Sequence, residues 1–177
     1  SISFGRIRTV TDTLSRPINA SPEGPIPPQA VEAERAILAA LLLDPEAVGR
    51  AIELIEPKVF YRVTHQRIYG AIVDLYNRNE RADLVTLAEE LRKRGDLESI
   101  GGPTALAQLF DAATTSANLE QHIRIVHAKH VLRSLIQATT SVQQECYSAG
   151  EETAEILDRA EQRIFEITDQ RVRQGFV

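Results

Sequence analysis

Residues 125–146 read IVHAKHVLRSLIQATTSVQQEC, and this run decides the fold. Within it Ile125, Ala128, Leu132, Leu135, Thr139, Val142 and Cys146 follow one another at spacings of 3, 4, 3, 4, 3 and 4. A helix returns side chains to one face at that interval, whereas a strand would need a period of two. Asn118 and Gln121 resemble a capping box opening this helix. It then runs about 30 residues, roughly 45 Å at 1.5 Å per residue. Gly150 interrupts it, and Leu157, Ala160, Ile164 and Ile167 resume the pattern at 3, 4 and 3. Two stripes joined at one glycine predict an antiparallel helical hairpin, with these stripes closing it on itself. A second face carries Ile123, Val126, Val131, Ile136, Tyr147, Ile156 and Phe165. That face either packs on the rest of the chain or pairs with a second copy.

Upstream the pattern is also helical. From Gln29, Val31, Ile37, Leu38, Leu41 and Leu42 recur every three to four residues, and Ala36 to Leu43 is apolar on all sides, which predicts a buried first helix. Asp44-Pro45-Glu46 reads as a cap, a first-turn proline and an acidic first turn, so a second helix runs to about Leu54. A third spans about Thr64 to Asn79, with Ile68, Ile72, Val73, Leu75 and Tyr76 as its apolar face. Asp83 caps a fourth that Gly95 ends, and a fifth runs from about Thr104 to Ala113 after the break at Gly101-Gly102-Pro103. No alternating β-rich segment and no internal repeat is evident, so the fold class is all-α: a compact helical bundle followed by a long antiparallel hairpin. Five of the eight prolines fall within residues 1–28, which read as an extended arm or a disordered tail. The division is therefore arm 1–28, bundle 29–115, hairpin 116–171 and, in residues 172–177, the start of a linker.

Composition narrows the function classes. The 177 residues carry net charge −5, with 43% hydrophobic and 25% charged residues, as a globular chain does. The balance is not the basic one of a dedicated DNA-binding domain. The longest stretch without a polar residue is the eight-residue run Ala36 to Leu43, against about 20 for a membrane span. No signal peptide is visible, and a single cysteine, Cys146, excludes an internal disulfide and points to a reducing cytoplasmic setting. The chain has no methionine, so we expect a piece of a longer protein.

The three lysines follow Pro57, Arg92 and Ala128, so no Gly-Lys pair exists to build a phosphate-binding loop in these residues. His127 and His130 stand three apart on a helix, but no third ligand completes a metal set, and both read as surface imidazoles. Glu32/Glu34, Glu89/Glu90 and Glu151/Glu152 read as solvated faces or first turns, and Arg92-Lys93-Arg94 as a complement to a helix C-terminus. Cys146, on an apolar stripe, reads as buried. No catalytic, cofactor or metal residue is expected here.

Five segments, taken in order, carry a resemblance. Pro27-Pro28-Gln29-Ala30-Val31-Glu32-Ala33-Glu34, with Ala36-Ile37-Leu38, resembles the opening of the N-terminal domain of bacterial DnaB-type replicative DNA helicases. So do Phe60-Tyr61-Arg62 with His65-Gln66-Arg67-Ile68-Tyr69, Asp83 to Leu91 with Ile100-Gly101-Gly102, Thr115-Ser116-Ala117-Asn118, and Leu157 to Glu161 with Ile164-Phe165-Glu166. The likeness covers about residues 27–171. It implies the N-terminal collar of a hexameric ring, a trimer of dimers joined through hairpins, and a docking platform for the primase C-terminal domain, with a helicase loader as a further partner. ATP, Mg and the main DNA contacts would belong to a motor domain beyond the linker. Leu132, Leu135, Val142, Ile164 and Ile167 become the candidate oligomer interface, and Ala105, Ile136 and Tyr147 the candidate docking residues on the hairpin and the adjacent fifth helix. From the resemblance, an aromatic is expected in some relatives at the position this chain fills with Ala105. Two other readings share the architecture: the helicase-binding domain of a primase, and a free-standing regulator that mimics the helicase domain. A small all-α enzyme with a distributed site is the third.

Overall fold

A computed structural model describes residues 24–112, 116–148, 150 and 152–173, the last four by backbone alone. The predicted arm up to residue 23 and the linker from 174 lie outside the described residues, as does Thr115. Seven helices and one 3-10 turn make up the described fold, without a strand, so the all-α reading holds. They are α1 (Val31–Leu43), α2 (Pro45–Leu54), the turn Pro57–Val59, α3 (Val63–Asn77), α4 (Leu84–Lys93), α5 (Gly102–Asp111), α6 (Leu119–Ser148) and α7 (Thr153–Arg173).

α1 is the axis of the bundle. Its residues Ile37 to Leu42 are all buried, because α2, α3, α5 and α6 pack around it. Burying one such leucine or isoleucine is worth about 1.5–3 kcal/mol, so this helix anchors the core. Asp44 separates α1 from α2 and caps α2 by accepting from the Glu46 amide at 3.0 Å. α3 turns His65, Ile68, Tyr69, Ala71, Ile72 and Leu75 inward, and the buried Tyr69 hydroxyl donates to the Ile55 carbonyl at 2.9 Å. Burial pushes that phenol well above its ordinary pKa.

α4 begins at the predicted cap. Asp83 accepts from the Val85 and Thr86 amides at 2.9 and 2.8 Å, while Thr86 Oγ1 accepts from the Asp83 amide at 2.9 Å, a full capping box. α5 starts two residues before the predicted point, because Gly101 and Gly102 take φ of +102° and +71° and turn the chain directly into it. A Cβ on Gly101 would stand 2.9 Å from that of Ala105, so both backbone angle and space require glycine there.

α6 divides into two lengths. Leu119, Ile123, Val126 and His127 are buried, the first three as part of the main core, and α1 runs along this portion. Beyond Arg133 only Ala138 is buried, and α6 leaves the globule to pair with α7. Among the described helices α7 packs on α6 alone.

Candidate assembly and docking surface

The hairpin is rooted by two polar clusters. Glu34 on α1 is fully buried, not solvated as the sequence reading had it. Its carboxylate accepts from the Tyr61 amide at 2.5 Å, the Arg62 amide at 3.4 Å and His65 Nδ1 at 2.7 Å. Two separate segments of the resemblance thus meet in one hydrogen-bonded knot. The signal was present: Glu34, Ile37, Leu38 and Leu41 share one helix face, so an acid sat on an otherwise apolar stripe. Next to this knot Arg133 of α6 donates to the Pro28 and Val59 carbonyls, each at 2.8 Å, and its guanidinium lies 5.3 Å from the centre of the Tyr61 ring. One side chain therefore ties the emerging helix to the chain before α1 and to the 3-10 turn.

The hairpin seam differs from the prediction. Glu145 of α6 accepts from Arg159 Nε at 3.1 Å and from Arg163 Nη2 at 2.5 Å on α7. The Arg163 hydrogen bond is the main cause holding the Glu145 carboxyl below its usual pKa. Ala138 is the buried residue of this stretch of α6. Half-buried Ala160 and Ile167 of α7, which packs on α6 alone among the described helices, share the seam with this charged cluster. The heptad stripe meant to close it lies largely outside: Ile125, Leu132, Thr139, Cys146, Leu157 and Ile164 are exposed. The 3-4 spacing marks an apolar face but carries no information about which neighbour covers it. Cys146 is exposed for the same reason, against the expectation of burial.

Of the five candidate interface residues, Leu132 and Ile164 are exposed and Leu135, Val142 and Ile167 half-buried. The second face also divides. Ile123 and Val126 enter the core, while Ile136, Tyr147 and Phe165 stand exposed, Tyr147 at 82% and Phe165 at 69%. Among the candidate docking residues Ile136 and Tyr147 are open on α6, whereas Ala105 is half-buried against the core. α5 packs on α1 and α4 rather than on α6, so among the described residues the fifth helix is not adjacent to the hairpin. The described hairpin therefore displays more uncovered apolar surface than any other element.

Other polar residues have structural partners. His127 is buried, not a surface imidazole, with its ring centre 6.4 Å from that of His130. Burial, with Arg133 and His127 nearby, lowers the His130 pKa to about 4. Glu90 is buried as well, held by Arg78 at 2.6 Å and Arg94 at 3.0 Å; their hydrogen bonds, Arg78 first, depress its pKa. Arg94 of the basic cluster also reaches Asp74 and the Gly70 carbonyl, so it fastens α4 to α3. Among the described residues no group of three or more His, Cys, Asp or Glu is placed to hold a metal ion, and no helix is long and apolar enough to cross a membrane.

Comparison with known proteins places these features. The family model for the DnaB-like helicase N terminal domain matches residues 26–128. The Replicative DNA helicase DnaB of Geobacillus stearothermophilus is 44% identical over 151 residues, which is 85% of this chain and 33% of that protein. The protein of the same name from Rhodothermus marinus is 42% identical over 152 residues, 86% of this chain and 16% of its own length. The chain thus spans a third or less of these relatives. The crystal structure of the N-terminal domain of DnaB helicase from Mycobacterium tuberculosis superposes with a TM-score of 0.75 at 42% identity, covering 80% of this chain and 99% of that one.

Proposed function

The chain belongs to the DnaB-like helicase N-terminal domain family, and from that premise we propose that it is the non-catalytic collar of a replicative DNA helicase. In this reading the hairpins join copies in pairs, the pairs build a hexameric ring, and the ring's hairpin face receives the C-terminal domain of primase. Unwinding, ATP and Mg binding and the principal DNA contacts belong to a motor elsewhere in the parent protein, in the bacterial cytoplasm. A helicase loader is a further partner of the assembled ring.

One observation carries the proposal: the hairpin wears part of its apolar stripe on the outside. Leu132 and Ile164 are exposed on α6 and α7, where a monomer gains nothing from them. A second hairpin laid against this stripe would bury it, and a two-fold arrangement makes the same patch serve both partners.

Sedimentation velocity over a concentration series tests this. The chain should self-associate, and Leu132→Glu with Ile164→Glu should return it to a monomer with unchanged helical circular dichroism. Association that survives both substitutions would overturn the hairpin's assembly role. The docking role is tested separately, by titrating the labelled primase C-terminal domain with Ile136→Ala and Tyr147→Ala variants. Unchanged affinity in both would remove those residues from the docking surface.

A further inference from the structure

Among the described helices α7 packs on α6 alone, so the face it turns away from α6 meets no other described element. Phe165 stands on that face, 69% exposed. Asp158 and Glu161 precede it by seven and four residues, which puts all three on one side of the helix. Ile164 of the assembly stripe projects about 100° away from Phe165, so the two faces adjoin without coinciding. An aromatic ring left in water contributes nothing to a single chain, and burying it against a partner would.

The charges on α7 are sorted by side. Arg159 and Arg163 turn into the seam, where both serve Glu145. From Thr153 to Asp169 the exposed charged residues are Glu155, Asp158, Glu161 and Glu166, all acidic. Asp158 and Glu161 have no ion-pair partner among the described residues. α6 differs, since its residues 134–144, SLIQATTSVQQ, carry no charge at all. The hairpin thus has an uncharged stretch on one helix and an aromatic ring set among acids on the other.

We propose that the Phe165 face of α7 docks a basic amphipathic helix of another protein. Phe165 enters a hollow between apolar side chains of that helix, as a knob enters a hole, and the Lys or Arg residues beside the hollow meet Asp158 and Glu161. Charge selects this occupant. Two copies of the face laid together would set acid on acid, and the uncharged stretch of α6 in a second copy offers no cation in answer. Nucleic acid and anionic lipid are repelled. The inference goes beyond the collar reading and does not rest on it, because it concerns another face and another partner.

The probe is a synthetic helical peptide of leucine and lysine, with leucines at the a and d positions of its heptads. It is titrated into the isotope-labelled chain and read at the Phe165 ring and the α7 amides. Saturable shifts centred on α7 are expected. Asp158→Lys with Glu161→Lys, and separately Phe165→Ala, should each weaken binding at least about tenfold. All three side chains are exposed, so these variants keep the fold. Glu53→Lys with Glu98→Lys makes the same change of net charge on exposed ground elsewhere and should leave affinity within about twofold. An equal loss in that control would reduce the contact to bulk charge and overturn the proposal. So would equal binding by a peptide of the same composition with its leucines scattered around the helix, or tighter binding of a short DNA duplex at the same amides. Absence of saturable shifts overturns it as well, and self-association lost in the α7 variants then gives the face to a second copy.

Discussion

Replacing Glu34 by alanine strips an acceptor from two backbone amides and an imidazole at once. The expected loss is on the order of 3 kcal/mol, because each buried donor left unsatisfied costs about 1–3 kcal/mol and the cavity adds to it. Urea denaturation followed by circular dichroism measures this; a loss below about 1 kcal/mol would show that water replaces the carboxylate freely. His130 governs a second expectation. Its pKa of about 4 lies below the 6.5 of an exposed histidine, so between those values the unfolded chain binds more protons than the folded one. Stability should therefore fall as pH drops from 6.5 towards 4, and His130→Asn should flatten that limb of the melting-temperature profile. At the same scale, Glu34 carried a signal, the apolar stripe it shares with Ile37, Leu38 and Leu41, whereas Glu90, in the last turn of α4, looks the same in sequence whether it faces water or Arg78 and Arg94.

At the scale of elements, α7 depends on α6 for its place, and Glu145 is the charged link between them. Glu145→Ala should speed amide exchange throughout α7 while the amides of α1 keep their protection, since α1 draws on the separate core. Acid should act in the same direction. The Glu145 pKa is lowered by its arginines, so its contribution is complete above the usual carboxylate range and is lost as pH falls through the folded-state value. Uniform acceleration of both helices would instead mean that hairpin and globule open as one unit. Helix existence was legible throughout, because apolar period, caps and glycine stops agree; α2 and the start of α4 fall where Asp44 and Asp83 put them. The hairpin itself was legible, but its seam only in part. Half-buried Ala160 and Ile167 belong to the predicted stripe, whereas Glu145, Arg159 and Arg163, which join them, are charged and leave no apolar period.

For the whole molecule, the uncovered stripe separates stability from assembly. Leu132→Glu with Ile164→Glu should leave the unfolding free energy of the dilute monomer within about 0.5 kcal/mol of the parent, since neither side chain is buried in the single chain. A larger destabilisation would mean that these residues already pack within one copy. The family resemblance was legible from five ordered segments, and the model of the family matches the part that includes the core. What the single chain could not announce is which surface is covered in an assembly, because burial against a partner leaves no mark on helical periodicity.

α6 passes unbroken from the core to the hairpin tip, with Arg133 fixed where it leaves the globule. It is therefore a lever with its fulcrum at that arginine. The free arm from Arg133 to Ser148 is about 22 Å long at 1.5 Å per residue, so a tilt of about 10° at the root displaces the tip by about 4 Å. Whatever grips the tip thereby presses on the buried end beside α1, and a slight repacking around Ile123 and Val126 swings the tip in return.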